Sequence, residues 1–598
     1  MDFQDTGPAT RPETHNEPIL SPAAERVPSD PVQSSPVPGL GALGALSVAL
    51  AACGGGGGGG GGSSTGGGTN PAPVNYNYAP TEAARFLLQA QFAFTDSDLT
   101  ILNSKGYDGW LITQFNSSIS QTGAQWLTAQ GYGTPNHNGN YFDPSAGDFM
   151  AWRMLMTGDD QLRKRCALAV SEMMVASLSP IDGFWPPYVI AGYWDMLNAN
   201  VFGNFRTLLE EVTLNPAIGL FLNTRGNLKE DTNTGREPDE NYAREVMQLF
   251  TIGLYELNTD GTPKTDLLGN RRETYTQSDI SNLARVFTGY DWDYSKVTWL
   301  SGYESYNVPT TEFASTRMVL DPNDHSMLEV NFLGTTIPAN TPGAQALKTA
   351  LDTLYSHPNA GPFFAKQMIQ RLVTSNPSPG YVSRVAGKFN NNGSGVRGDL
   401  KAVWRAILLD DEARTLPTST TAGKLREPMI RLAQWARIFN VYSATGKWEI
   451  YDLSSADWGL GQSPLRSPSV FNFFRPGYVP PQTAIASAGD VAPEFQLHNE
   501  TTVAGFINFF TSVMQDGYGD VKPDYTAIMA KVADSQGLLD WMNLHLSANQ
   551  VSPATIARIK TAIDANPIDA TSTDTNKHDR IWNCILLLMS CPEYLIQK

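Results

Sequence analysis

Positive charge is scarce in this chain. Its 598 residues carry 42 Lys and Arg against 59 Asp and Glu, a formal net charge of −17. Nucleic-acid binding needs a surplus of cations to neutralise phosphates, so nucleic acid is set aside as a partner. Cysteine is scarce too, with four in the whole chain. Cys584 and Cys591 lie seven residues apart in the helical run ILLLMSCPEY. A rise of about 10 Å separates them there, beyond disulfide reach, so free buried thiols are expected. The familiar catalytic signatures HExxH, CxxC, GxSxG and GxxxxGK[ST] are all missing. Gly393, Gly395 and Gly398 do match the spacing GxGxxG. They follow the helical run YVSRVAGKFN and not a strand, so they read as a turn between helices. The residues name no cofactor.

What is present starts with an address. Residues 1–37 are rich in Pro, Glu and Ser without apolar periodicity, the composition of a disordered tail. Residues 38–53, PGLGALGALSVALAAC, form a run too short and too rich in glycine to span a bilayer, but of the length of a signal h-region. Leu50, Ala51, Ala52 and Cys53 resemble a bacterial lipobox, in which the cysteine is lipidated after cleavage. Residues 54–80 then supply a Gly/Ser-rich flexible tether. The expectation is a bacterial cell-envelope protein, an outer-membrane lipoprotein or a secreted form, touching the membrane through its lipid anchor only. Against it stands the acidic leader, where Arg11 and Arg26 are outnumbered. The alternative is a buried apolar patch beside a low-complexity linker.

Hydrophobic residues make up 41% and charged residues 17%, which fits a globular body with a fairly neutral surface. From Thr81 the pattern turns helical, with AARFLLQAQFAF and then a second helix opened by Thr95 and Asp96. Residues 120–148 read as a long loop, and residues 291–345 as short extended runs with turns. Residues 346–413 and the last hundred residues are strongly helical. The body, 81–598, is therefore expected to be mainly α, one large multi-helix domain with minor β-hairpins and long irregular loops. The polar stretch 415–423 marks a possible subdivision. Aromatics are plentiful, with 13 Trp and 22 Tyr; most belong to the core, and some suit sugar-stacking platforms.

The stretch from Pro238 to Tyr290 organises the rest. NYAREVMQLF puts Tyr242, Ala243, Val246, Met247, Leu249 and Phe250 on one apolar face. Asn241, Arg244, Glu245 and Gln248 share the opposite stripe. A turn-rich insert follows, and then Thr276 and Asp279 form a capping-box pattern ahead of Ile280, Leu283 and Phe287. An arginine beside a carboxylate holds it ionised or fixes an anionic group. Glu245, with Arg244 and Arg285 positioning an anion, is thus the candidate catalytic set, and Arg285 is placed to pair with Glu245. Asn241, Gln248 and His325 are candidate ligand contacts. Asp321 and Asp324, in the turn DPNDH, are candidate metal ligands. The competing readings are a buried hydrogen-bonded network and a solvated helix face with pairs such as Glu240–Arg244.

NYAREVMQLFTIG followed by YTQSDISNLARVFTGY resembles the bacterial family called domain of unknown function 1800, and the resemblance runs along most of the chain. Many members carry Trp-His-x-His-Phe where this chain has Val170, Ser171, Glu172, Met173 and Met174, so no role for those histidines carries over. The family's His-Asp-x-Gly-x-Lys segment also changes: His325 is kept, with Ser326 and Val330 in place of the Asp and Lys. Members are often encoded beside exported proteins of unknown-function family 1501, which look like alkaline-phosphatase-type hydrolases; the resemblance implies such a partner. Three functions remain open. One is an assembly, export or partner-binding factor for a cell-surface polymer such as a polysaccharide, or for such a hydrolase. The others are an envelope enzyme acting on an extracellular polymer and a structural surface lipoprotein.

Overall fold

The helices begin where short side chains satisfy their first backbone N–H groups. Thr95 accepts from the Asp98 N–H while Asp98 accepts from Thr95, and Thr276 does the same with Asp279. Proline opens Pro80–Ala90, Pro186–Asn200, Pro216–Phe221 and Pro428–Ile438, where its missing N–H costs nothing. The computed structural model describes residues 75–303, 305–419, 421–569 and 571–598. The tail, the signal-like run with Cys53 and most of the tether lie outside the described residues. Among the described residues there are twenty-three α-helices and five two-stranded antiparallel sheets, so the body is mainly α with small hairpins. The described residues form one compact unit.

Helix Pro186–Asn200 runs through the core. Tyr188, Val189, Ile190, Ala191, Tyr193 and Trp194 are all buried, so it is covered nearly all round. It packs on Gly123–Ala129, Ser145–Met156, Gln161–Ser171 and the 3₁₀ turn Thr311–Ser315. At Gly192 an added Cβ would sit 2.2 Å from the Ala314 carbonyl oxygen, so only glycine permits that approach.

Several local expectations are revised. The loop expected at 120–148 contains helix Gly123–Ala129, whose first N–H groups, on Gly123 and Ala124, are accepted by half-buried Asp195 at 2.6 and 3.0 Å. Helix Asp96–Phe115 kinks at Gly106 (φ 69°), where the Tyr76 ring lies against the backbone. The stretch 186–223 holds three helices, because Asn204 and Asn215 each cap a new one. Gly393, Gly395 and Gly398 do turn the chain between helices Pro379–Asn390 and Leu400–Leu409. Cys166, Cys584 and Cys591 are free and buried.

Candidate functional site

The organising stretch does not run as a regular helix. Asn241–Glu245 is α-helical, and Val246–Thr251 continues it as a π-helical turn that adds a residue to the repeat. That extra residue ends the shared polar stripe. Tyr242, Ala243, Val246, Met247 and Phe250 are buried as expected, and Leu249 is half-buried. Glu245 turns inward and is buried, whereas Asn241, Arg244 and Gln248 stay half-exposed.

The outer tier of the site centres on Glu240. Its carboxylate accepts from Arg244 Nη2 at 3.1 Å, from Gln277 Nε2 at 2.7 Å and from Ser281 Oγ at 2.5 Å. It thereby ties Asn241–Glu245 to helix Gln277–Ala284. Gln248 Oε1 accepts from the Tyr275 hydroxyl at 3.0 Å. Beside these groups lies a shallow depression of about 220 Å³ lined by Arg244, Gln248, Tyr255, Tyr275 and Gln277. Glu245 is not among its lining residues. Burial pushes the Glu245 carboxyl up to about 7 against the pull of Arg244, and its Oε2 has no hydrogen-bond partner.

The remaining candidates lie apart from this pair. Arg285 does not pair with Glu245; its Nη1 donates to Asn282 Oδ1 at 3.0 Å and to the Glu329 carbonyl at 3.1 Å. His325 is buried, with Nδ1 2.9 Å from the Thr288 carbonyl oxygen, and its ring packs against Gly343. Thr288 Oγ1 also accepts from the Ser326 N–H at 2.8 Å, so this histidine secures a loop crossing. Asp321 and Asp324 are exposed; Asp321 Oδ1 closes its own turn by accepting from the Asn323 N–H at 2.8 Å. Among the described residues no group of three or more His, Cys, Asp or Glu side chains converges to hold a metal, so the pair finds no third such ligand.

A second constellation escaped the sequence reading. Glu172, Glu427 and Glu494 meet Arg165, Arg371 and Lys424 in the core, all nearly inaccessible to solvent. Lys424 Nζ lies 3.1 Å from Glu494 Oε1 and 3.5 Å from Glu427 Oε1, and donates to the Arg371 carbonyl at 2.8 Å. Arg371 donates to the Glu172 carbonyl at 2.9 Å, and its Nε is 3.5 Å from Glu172 Oε2. Burial and the neighbouring Glu427 charge raise the Glu172 carboxyl well above its usual range. Burial works against Glu427 as well, but Lys424 and Arg165 prevail and hold it below. Glu172 and Glu427 thus shift in opposite directions. A partial signal was present in the sequence: Glu172 stands in the segment that departs from the Trp-His-x-His-Phe pattern.

The family model for a protein of unknown function, DUF1800, matches residues 85–596. The chain belongs to the DUF1800 family. No curated protein and no solved structure matches it. In this DUF1800 chain the matched region takes in both the Glu240–Glu245 tier and the buried charge cluster.

Proposed function

We propose that the protein is an exported lipoprotein, anchored through Cys53, that serves as an assembly or partner-binding factor for a cell-surface polymer or an exported hydrolase-like protein. The observation that carries the non-catalytic reading is the isolation of Glu245. A general acid or base must come within hydrogen-bond reach of the proton it moves. Glu245 is buried and does not line the neighbouring depression, while the groups that do, Arg244, Gln248, Tyr275 and Gln277, are tied up with one another and with Glu240. The lipobox-like Leu50-Ala51-Ala52-Cys53 supports the anchor.

One observation favours the second reading, an envelope enzyme. A carboxyl held at about 7 beside an arginine is tuned for acid–base work near neutral pH. If Glu245 were a general acid, activity would be full below about 7 and fall as pH rises through it, because only the protonated form donates. The test incubates wild-type protein and Glu245→Gln with isolated cell envelopes from pH 5 to 9 and measures released reducing ends and phosphate. The binding reading predicts no release above background in either sample. Release that falls with that pH limb and is lost in Glu245→Gln would establish the enzyme. In parallel, Cys53→Ser is expected to move the protein from the membrane fraction to the soluble one.

A further inference from the structure

We propose that a group of aromatic rings around the hairpin Trp299–Tyr303 and Tyr306–Pro309 is a binding platform for an extended, uncharged polysaccharide. The inference rests on the binding reading above and names its partner class. Phe142, Phe184 and Tyr306 form a cluster, with Phe142 5.2 Å from each of the other two and those two 6.4 Å apart; Trp299 meets Phe184 edge-on at 6.5 Å, and Tyr294 lies 5.4 Å from Trp299. Trp299 is 50% exposed, Tyr306 46% and Phe142 39%, although aromatic side chains bury themselves wherever a core is within reach. The group is an open surface of a kind that isolated exposed residues do not make.

The platform is fixed from beneath. Trp185 is buried; its Nε1 donates to the Pro309 carbonyl at 2.6 Å, and its backbone N–H donates to the Tyr141 carbonyl at 2.7 Å. It thus joins the strand that carries Tyr306 to the 3₁₀ turn Asn140–Phe142. The same open end of the hairpin is closed by Thr298 and Thr310, whose main chains and the Thr310 hydroxyl exchange two 2.9 Å bonds. Rings held this way lose little freedom when a ligand lands on them.

The chemistry around the rings selects the occupant. Asp143 and Asp182 are exposed and Asp293 is half-exposed near the rings, with Lys296 the cation in the same segments; Arg225, beside Tyr294, is paired with Asp291 at 2.8 Å. An acidic rim repels polyanions and anionic lipid headgroups, which need clustered Lys or Arg. Protein interfaces built on Trp and Tyr are enriched in Met and Arg as well, and neither lies in segments 130–144, 180–186 or 293–310. Exposed Asn136, Asn138 and Asn307 offer the neutral donors and acceptors that sugar hydroxyls use, while the ring faces take the apolar C–H faces of the sugars.

The test is native affinity electrophoresis of the full chain in gels containing hydroxyethyl cellulose, glucomannan or alginate, with sedimentation on phosphatidylglycerol vesicles alongside. Wild type is expected to be retarded by a neutral polymer and by neither alginate nor vesicles. Trp299→Ala and Tyr306→Ala, with unchanged melting temperatures, should each weaken that retardation about tenfold, and Trp299→Phe should retain most of it. No retardation by either neutral polymer, retardation untouched by the substitutions, or preference for alginate or vesicles would overturn the platform. Polymer that is bound and also cut would leave the platform standing and overturn the non-catalytic reading, so the two failures are distinguishable.

Discussion

Six ionisable side chains sealed in one dry core are tolerable only where each charge meets its counter-charge, and removing one partner leaves another stranded. Burial and Glu427 push the Glu172 carboxyl up, whereas Lys424 and Arg165 hold the Glu427 carboxyl down. Two chemically identical substitutions should therefore differ. Glu172→Gln keeps a neutral donor of the same shape and is expected to change stability by less than about 1 kcal/mol. Glu427→Gln removes one of the two carboxylates that face buried Lys424, and the charge that faces Arg165, and is expected to cost about 3–5 kcal/mol. Urea denaturation of the two variants side by side checks this, and equal losses would contradict the opposite shifts of the two carboxyls. At this scale the sequence showed chemistry where it is local and hid it where it is not. Glu240 and Arg244 are one helical turn apart, and their pairing was readable from spacing. Glu172, Glu427 and Glu494 come from distant segments, and no spacing rule brings them together. His325 was readable as a retained histidine, but its enclosure by Thr288 and Gly343 was not.

Helices here end, cross and bend through contacts from far along the chain. Arg437 donates to the Leu155, Thr157 and Gly158 carbonyls and so closes the end of helix Ser145–Met156. Arg85 does the same for Asp411–Arg414 through the Ala413, Arg414 and Thr415 carbonyls. The close crossing at Gly192 gives the sharpest element-level prediction. Alanine there is the better helix former by about 1 kcal/mol, yet its Cβ meets the Ala314 carbonyl. Gly192→Ala is expected to destabilise the protein by about 1–3 kcal/mol through overpacking. A thermal melt that is unchanged or raised would show that the turn Thr311–Ser315 yields freely. The same contrast explains what was legible of the elements. The capping patterns at Thr95 and Thr276 lie within four residues, and both helices start where those patterns place them. Helix Gly123–Ala129 carries the same local signal, a capping box of Thr122 and Gln125, but it is only seven residues long in a stretch rich in Gly and Asn, and so read as loop; Asp195, about 70 residues on, adds to its start. The π turn at Val246–Thr251 also escaped, since a 3.6-residue apolar repeat gives no sign of one inserted residue.

Across the whole molecule, buried ion pairs and exposed surface divide the work. The charge cluster binds helices Gln161–Ser171, Ala360–Leu372 and Pro428–Ile438 to strand Lys424–Leu425, across the polar stretch 415–423. That makes the acidic core a fastening, and it leaves the ring group near Trp299 as the surface with recognisable ligand chemistry. The direct test of this division is capture from native membranes by the full chain, comparing wild type, Glu245→Gln and the double variant Trp299→Ala, Tyr306→Ala, all shown to be folded. The account predicts that glycan co-purifies with wild type and with Glu245→Gln in equal amounts, and is lost from the double variant. Capture lost from Glu245→Gln and retained by the double variant would contradict it and return the site to the Glu240–Glu245 tier.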